Sequence, residues 1–303
     1  MPENQPILNM FLIYNPAAAH GRAKKMLPLI TLLFKQKNIN VEVHLTQYVR
    51  HAIEMVKAAD FSQYSGIVAA GGDGTLFEVI NGYFQNVSNS RIPIGVIPIG
   101  TGNSFAKDLD LESGECAKAV EIISQNRPGK VDVGYYHTNG EDYYFLNILG
   151  VGFVTEVMKT AIKLKLLGNL CYTLGVFYQT LFLKTNLLTI EMDGQTVERE
   201  TLMIEISNTR YTGRNFLMAP EAKFDDGFMD VILVKKLTRT RLLRLFPKLF
   251  SGTHITADEV ETFKVKKIRI NAVAPLMLGP DGELLGCTPL QVECLHQAVE
   301  FFT

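Results

Sequence analysis

Gly71-Gly72-Asp73-Gly74-Thr75 lies between an apolar run, Ser65-Gly66-Ile67-Val68-Ala69-Ala70, and a second one, Leu76-Phe77-Glu78-Val79-Ile80-Asn81, that reads as a helix start. A strand, a glycine turn and a helix therefore meet at one carboxylate. Glycines permit positive φ and close backbone approach, and the free N–H groups of a helix N-terminus attract anions. The guest that suits such a turn is a nucleotide phosphate. Asp73 repels that anion, so its expected role is to hold a divalent cation or its water shell beside the phosphates. The plainer alternative is an ordinary Asp-Gly turn.

The surrounding pattern favours the first reading. Strands are expected over 9–14, 41–45, 66–70 and 94–97, alternating with helices at about 22–36, 50–59, 75–84 and 115–125. That order predicts a parallel sheet with helices on both faces, whose ligands sit at the carboxyl ends of the strands. Asn15-Pro16, the Gly71 turn and Pro98-Ile-Gly-Thr-Gly-Asn103 all fall on that rim. After Arg127-Pro128-Gly129 the texture changes to short Val-, Tyr- and Phe-rich segments at 130–136, 142–149, 187–192, 200–207, 229–234, 262–271 and 290–295. They predict a mainly antiparallel β domain with a helical insertion near 154–183. The expected fold class is thus α/β plus all-β: a nucleotide-binding domain over 1–128 and a β-sandwich over 129–295, with 296–303 packing back on the first domain.

Composition narrows the function. With 303 residues, 47% hydrophobic and 20% charged, the chain reads as globular, and its net charge of −1 provides no global attraction for nucleic acid. Cys116, Cys171, Cys287 and Cys294 form no CxxC pair, which argues against zinc or a disulfide framework and for a reducing, cytoplasmic setting. Met1-Pro-Glu-Asn-Gln-Pro6 lacks the basic region of a secretory signal. Residues 166–183 carry no charge, yet Asn169, Thr173, Gln179 and two glycines interrupt them, so a buried or lipid-lining helix is expected rather than a membrane span. The six histidines show no metal or nucleophile-base spacing, and His51 and His254 read as surface or turn residues.

Neither GxxxxGK[ST] nor GxGxxG is present, which excludes a P-loop or ordinary dinucleotide fold. Six segments in order resemble the diacylglycerol kinase/sphingosine kinase family of lipid kinases, its small bacterial members above all. They are Asn15–Ala23, Gly71–Glu78, Ile97–Ala106, Phe145–Phe153, Ala219–Asp230 and Asp281-Gly-Glu283. The first domain is then similar to NAD kinase and phosphofructokinase. The resemblance implies ATP held between an α/β domain and a β-sandwich domain, and transfer of its γ-phosphate to a lipid hydroxyl. It places Asn15, Thr46, Gly71, Gly72, Asp73, Gly74, Thr75, Glu78, Thr101 and Asn103 around the nucleotide. The first loop departs from the family pattern, reading Ala17-Ala18-Ala19-His20-Gly21 where a Ser-Gly or Gly-Gly step is usual.

Phosphoryl transfer depends on positioning and charge neutralisation, with a carboxylate accepting the hydroxyl proton. By resemblance Glu283 is the proton acceptor and Asp281 its partner, with Asp73 as rival base. The resemblance also implies a structural Mg2+ at the 225–228 turn, bound by Asp226 and the backbone of Lys223 and Phe228. Taken alone, Asp281-Gly282 reads as a hairpin turn and Asp225-Asp226-Gly227 as a turn before a strand.

The lipid is expected along a stripe of Leu164, Leu167, Cys171, Leu174, Phe177 and Leu181, beside Lys159, Lys163 and Lys165. Val234–Phe250 has six basic and no acidic residues, the pattern of an amphipathic segment on an anionic membrane surface. The reading is a cytoplasmic, peripherally membrane-associated lipid kinase using ATP and Mg2+. Diacylglycerol is the first acceptor, with sphingosine, ceramide and phosphatidylglycerol as alternatives. An NAD kinase and a non-catalytic lipid-binding regulator are the rivals. A homodimer is compatible with the sequence, which shows no interface.

Overall fold

The computed structural model describes residues 7–88, 90–164, 171–213 and 215–303. Met1–Pro6, Lys165, Leu167, Asn169 and the rest of 165–170 lie outside them. The chain divides into two compact units, Met1–Val131 with Gln297–Thr303, and Asp132–His296.

The first unit runs β1 (Asn9–Tyr14), α1 (Leu27–Gln36), β2 (Asn40–Leu45), α2 (His51–Ala58), β3 (Gly66–Gly71), α3 (Asp73–Gln85), β4 (Ile94–Pro98), α4 (Ser104–Asp108) and α5 (Cys116–Ser124). β1 pairs in parallel with β2 and β3, β3 pairs with β4, and Phe301 near the chain end joins Ile94. Every residue of β3 and β4 is buried, as expected for strands covered on both faces. The helix expected over 22–36 begins only at Leu27. Ala19, His20 and Gly21 are left-handed, which breaks the preceding Ala18–Lys25 into 3-10 turns, and Pro28 fits only the first turn of the helix that follows.

The carboxyl ends of β3 and β4 touch through bare backbone. A Cβ on Gly100 would stand 2.3 Å from the Gly72 Cα, and one on Gly71 would stand 2.2 Å from the Thr75 hydroxyl. Both Ile99 and Gly100 donate their N–H to the Gly71 carbonyl, at 2.9 and 2.8 Å. Two loops are thereby locked as one surface.

The chain enters the second unit through β5 (Pro128–Thr138), followed by β6 (Glu141–Phe145), β7 (Ile148–Gly152), α6 (Phe153–Lys163), α7 (Cys171–Thr180), β8 (Asn186–Met192), β9 (Gln195–Ser207), β10 (Tyr211–Thr212) and β11 (Phe216–Leu217). Then come β12 (Met229–Lys235), α8 (Arg239–Leu245), β13 (Val260–Val265), β14 (Lys267–Ala272), β15 (Leu278–Pro280) and β16 (Leu290–Phe302), which leads out of this unit again. β9 turns from one layer to the other. Its first half pairs with β8, and its second half lies between β7 and β12. One layer is therefore β13-β12-β9-β7-β15, and the other contains β8, β14 and the start of β16. Tyr136, Leu149, Ile204, Ile206, Val231, Ile268 and Val292 belong to the apolar filling between the layers. The outer face of the first layer is covered too, by Phe153, Val157, Val176, Leu242 and Phe246 from α6, α7 and the α8 region.

Two expected strands are each divided, for the same reason. Residues 142–149 split because the N–H groups of Leu146, Asn147 and Ile148 turn to the Asp281 carboxylate. Residues 262–271 split where the N–H groups of Lys266 and Lys267 turn to Asp193. In both places a side-chain acceptor displaces the strand ladder. The helical insertion expected near 154–183 contains α6 and α7, and of the two expected settings, buried or lipid-lining, Leu174, Phe177, Tyr178, Leu181 and Phe182 do not take the buried one: they are exposed. Among the described residues no helix is long and apolar enough to cross a membrane.

Gly100→Ala is expected to lower the stability of the first unit by about 2 kcal/mol, the cost of forcing backbones apart in a packed site. Urea unfolding followed by circular dichroism checks this; an unchanged midpoint would mean that the loops are not in contact.

Candidate active site

The rim of the parallel sheet gathers several residues singled out above. Asn15 donates its amide to the Thr75 hydroxyl at 3.0 Å and accepts the Ala17 N–H at 2.9 Å. The Thr46 N–H donates to the Tyr14 carbonyl, which sets the end of β2 beside that of β1. Asn103 is buried, left-handed at φ 55°, and donates to the Gly100 carbonyl at 2.7 Å. Thr101 is half-buried on the same loop. The first N–H groups of α3, at Asp73, Gly74 and Thr75, have no acceptor within the helix by the geometry of any helix start. The result is a polar, glycine-lined shelf beside the N-terminus of α3.

Two acidic residues of this stretch have partners of their own. Asp73 accepts the Ser104 N–H at 2.7 Å, so it caps α4 and ties the two glycine loops together. Burial pushes its carboxyl up to about 6, against the opposing pull of the N–H groups of Ser104, Phe105 and Asn103 and the Ser104 hydroxyl. Glu78 accepts the N–H groups of Arg50 at 2.8 Å and Ala52 at 3.1 Å, at the start of α2.

In the second unit Asp281 is buried, and its carboxylate accepts N–H donors from Leu146, Asn147 and Ile148 at 2.9, 2.8 and 3.0 Å. Its own N–H returns to the Ile148 carbonyl at 2.9 Å. The backbone then turns through left-handed Asp281 and Gly282, and the Glu283 N–H donates to the Pro280 carbonyl at 2.7 Å. Glu283 is exposed, and its carboxylate has no partner among the described residues. Asp281 is thus a clamp and Glu283 a presented group.

The 225–228 turn does not fit a resident divalent ion. Asp226 Oδ2 faces the Lys264 ammonium at 2.7 Å, and Oδ1 accepts the Phe228 N–H at 3.1 Å. Lys264 also lies 3.4 Å from Asp230. An internal cation, Lys264, thus pairs with the one side chain that the resemblance gives to Mg2+. No cluster of three or more His, Cys, Asp or Glu side chains able to hold a metal is present among the described residues.

Sequence reasoning missed Asp132 and His296, which sit behind this turn. Asp132 accepts the Gly227 N–H at 2.6 Å and pairs with His296 Nδ1 at 2.8 Å. The pattern carried no local signal for this pair, separated by 164 residues. His254, read as a surface or turn residue, lies in the 3-10 turn Thr253–Thr256 but is buried, and burial lowers its pKa.

Comparison with known proteins settles the family. Residues 9–136 match the model of the diacylglycerol kinase catalytic domain, and residues 147–303 match the YegS C-terminal NAD kinase beta sandwich-like domain. The chain belongs to the diacylglycerol kinase family. A diacylglycerol kinase of Bacillus subtilis (strain 168) is 31% identical over 95% of this chain and 94% of its own length. One from Staphylococcus carnosus (strain TM300) is 32% identical over 96% and 94%. A crystal structure of a candidate diacylglycerol kinase from Bacillus anthracis str. Sterne superposes with a TM-score of 0.82 at 27% identity, covering 98% of each chain. The family match makes this chain a lipid kinase and sets aside the NAD kinase and the non-catalytic regulator.

Replacing Lys264 with Met should expose the Asp226 carboxylate to solvent cations. Thermal unfolding is expected to be insensitive to millimolar Mg2+ in the native chain and to become Mg2+-dependent in Lys264→Met. A native chain stabilised by Mg2+, with the effect lost in Asp226→Asn, would contradict this.

Proposed function

We propose that this lipid kinase transfers the γ-phosphate of ATP to a lipid hydroxyl, with diacylglycerol as the first acceptor. The observation that carries the chemistry is the contrast at 281–283. A buried carboxylate fastened by three N–H groups holds the turn, and an exposed, unpaired carboxylate stands at its tip. Removing a proton from an alcohol as it attacks phosphorus needs an accessible acceptor, and Glu283 has the capacity that Asp281 has already used. Asp281 is then a positioning residue.

The glycine shelf supports the nucleotide assignment. Free N–H groups at the start of a helix suit phosphate oxygens, and side chains at Gly71, Gly72 or Gly100 would fill the contact that shapes the shelf. Asn15 and Thr75 hold its edge through their mutual hydrogen bond. Asp73, fixed by the N-terminus of α4, contributes negative charge beside the Mg2+ that travels with ATP. Because its N–H partners fix it in place, Asp73 serves the reaction as an electrostatic anchor rather than as the proton acceptor.

Diacylglycerol resides in bilayers, so the enzyme must reach a membrane. The exposed side chains Leu174, Phe177, Tyr178, Leu181 and Phe182 form an apolar ridge, with Phe177 6.0 Å from Phe246 beside α8. Of the six basic residues over 235–248, Lys235, Lys236 and Arg241 pair with Glu261, Glu200 and Glu259. Arg239, Arg244 and Lys248 have no acidic partner among the described residues. Each contributes about 1 kcal/mol near an anionic surface. This supports peripheral docking through the α7–α8 side of the second unit.

Transfer of labelled γ-phosphate from ATP and Mg2+ to vesicles presenting diacylglycerol, sphingosine, ceramide or phosphatidylglycerol tests the reading. Glu283→Gln should lower kcat by roughly 10²–10⁴ with an unchanged unfolding midpoint. Asp281→Asn, which turns an amide toward N–H donors, should lower the midpoint instead. A Glu283→Gln enzyme of normal rate would remove Glu283 from the chemistry, and label on no lipid would remove the acceptor class.

A further inference from the structure

Glu205 is a charged residue type in the middle of a fully buried stretch, Thr201–Ser207 of β9. It is 0% exposed, and neither carboxyl oxygen has a hydrogen-bond partner among the described residues. Ile204 and Ile206 point between the two layers of the sandwich, so alternation directs Glu205 to the opposite, outer face. Its lateral neighbours there are Gly150 on β7 and Ile232 on β12. Ile232 packs with Phe153, Val157 and Met218 in the cluster beneath the helices. α6 presses on the same row: a Cβ on Gly150 would stand 2.5 Å from Val154, and one on Gly279 would stand 2.7 Å from Met158.

A second polar atom shares this condition. Ser207, two residues further along the same strand face, is 0% exposed, and its hydroxyl likewise has no partner among the described residues. Leaving one such group unsatisfied costs about 1–3 kcal/mol. Ser207 has the acid Asp230 of β12 opposite it on this face, and Asp230 is directed to Lys264 at 3.4 Å; two unsatisfied groups side by side are still expensive in a chain that could carry Leu and Ala there. Burial pushes the Glu205 carboxyl up to about 8, so at neutral pH it is mostly an uncharged acid with an O–H to donate. The Ser207 hydroxyl is a second donor. Neither donor has a hydrogen-bond acceptor among the described residues, and a new acceptor must be neutral, since burying a further charge beside Glu205 and Asp230 would raise the cost.

Building on the kinase reading above, we propose that Glu205 and Ser207 form an internal recognition station for the acceptor lipid, donating hydrogen bonds to ester or amide carbonyls of an acylated lipid. Diacylglycerol, with two ester carbonyls, matches two donors. Its acyl chains would lie in the apolar cover made by α6, α7 and the α8 region. A lipid with a free amine in place of an acyl carbonyl, such as sphingosine, presents a donor where the station also donates, and is discriminated against. Neither residue performs chemistry; both set specificity.

The test uses the full chain with detergent-dispersed diacylglycerol, ceramide and sphingosine, measuring kcat, KM for lipid and for ATP, and the urea midpoint. In Glu205→Leu, kcat/KM for diacylglycerol should fall about tenfold, the factor expected for one lost hydrogen bond, through the lipid KM, with the ATP KM unchanged. The unfolding midpoint should stay level or rise, because an unsatisfied polar group has been replaced by an apolar side chain of similar size. Glu205→Gln, still able to donate, should keep kcat/KM within about threefold. Lipid kinetics unaffected by Glu205→Leu would overturn the proposal, as would a fall in activity that tracks a fall in the midpoint. A Gln variant as impaired as Leu, with sphingosine the best substrate, would show that Glu205 pairs as an anion with an amine. If the unaltered chain phosphorylates no lipid, the kinase reading fails first, and the Glu205 proposal fails with it.

Discussion

The first unit depends on a contact that no side chain makes. Gly72 and Gly100 bring the ends of β3 and β4 together backbone against backbone, and the Asp73 carboxylate fastens the arrangement through the N-terminus of α4. Close approach of this kind leaves N–H groups at the surface instead of covering them with side chains, which is what an anion site on an α/β sheet requires. The cost is a carboxyl held in partly dry surroundings, visible in its raised pKa. Asn15, Thr75 and Asn103 then hold the rim of the shelf, each through a hydrogen bond to its own neighbour.

The second unit applies the same economy to its own turn. Asp281 interrupts what would otherwise be one strand from 142 to 149 by taking three consecutive N–H groups. Four hydrogen bonds, counting the return from its own N–H to Ile148, leave the turn little freedom. Glu283 is two residues away and projects from it. Rigid support beneath an exposed acid is the arrangement expected where a proton must be collected at a fixed point. Lys264 has a comparable role at the 225–228 turn, where it neutralises Asp226 and faces Asp230.

Much of this was legible in the chain because the signals are local. The apolar runs at 9–14, 66–70 and 94–97 correspond to β1, β3 and β4, and Gly71-Gly-Asp-Gly-Thr75 marks the strand-to-helix junction directly. What escaped sequence reasoning was set by distant partners. Nothing near 146 announces that its ladder will be surrendered to a carboxylate 135 residues later, so two strands read as one. Lys264 and Asp226, 38 residues apart, gave no sign of pairing; the residues alone read as a turn, and the metal came only from the resemblance. The basic run after Val234 has no acid within it, yet Glu261, Glu200 and Glu259 from elsewhere in the second unit pair with half of its basic residues. Glu205 did carry a local signal, a lone acid within Leu-Met-Ile-Glu-Ile, whose meaning appears only once both faces of β9 are seen to be covered.

The central claim is that nucleotide binding and proton acceptance belong to different residues: the glycine shelf holds ATP, and Glu283 only collects the proton. Equilibrium binding of ATP with Mg2+ to the Glu283→Gln chain, by isothermal titration calorimetry against the native chain, tests it most directly. The account predicts dissociation constants that agree within about threefold, below 1 kcal/mol. A Glu283→Gln chain that no longer binds ATP would contradict it, because the carboxylate would then be part of the nucleotide site and not a separate acceptor.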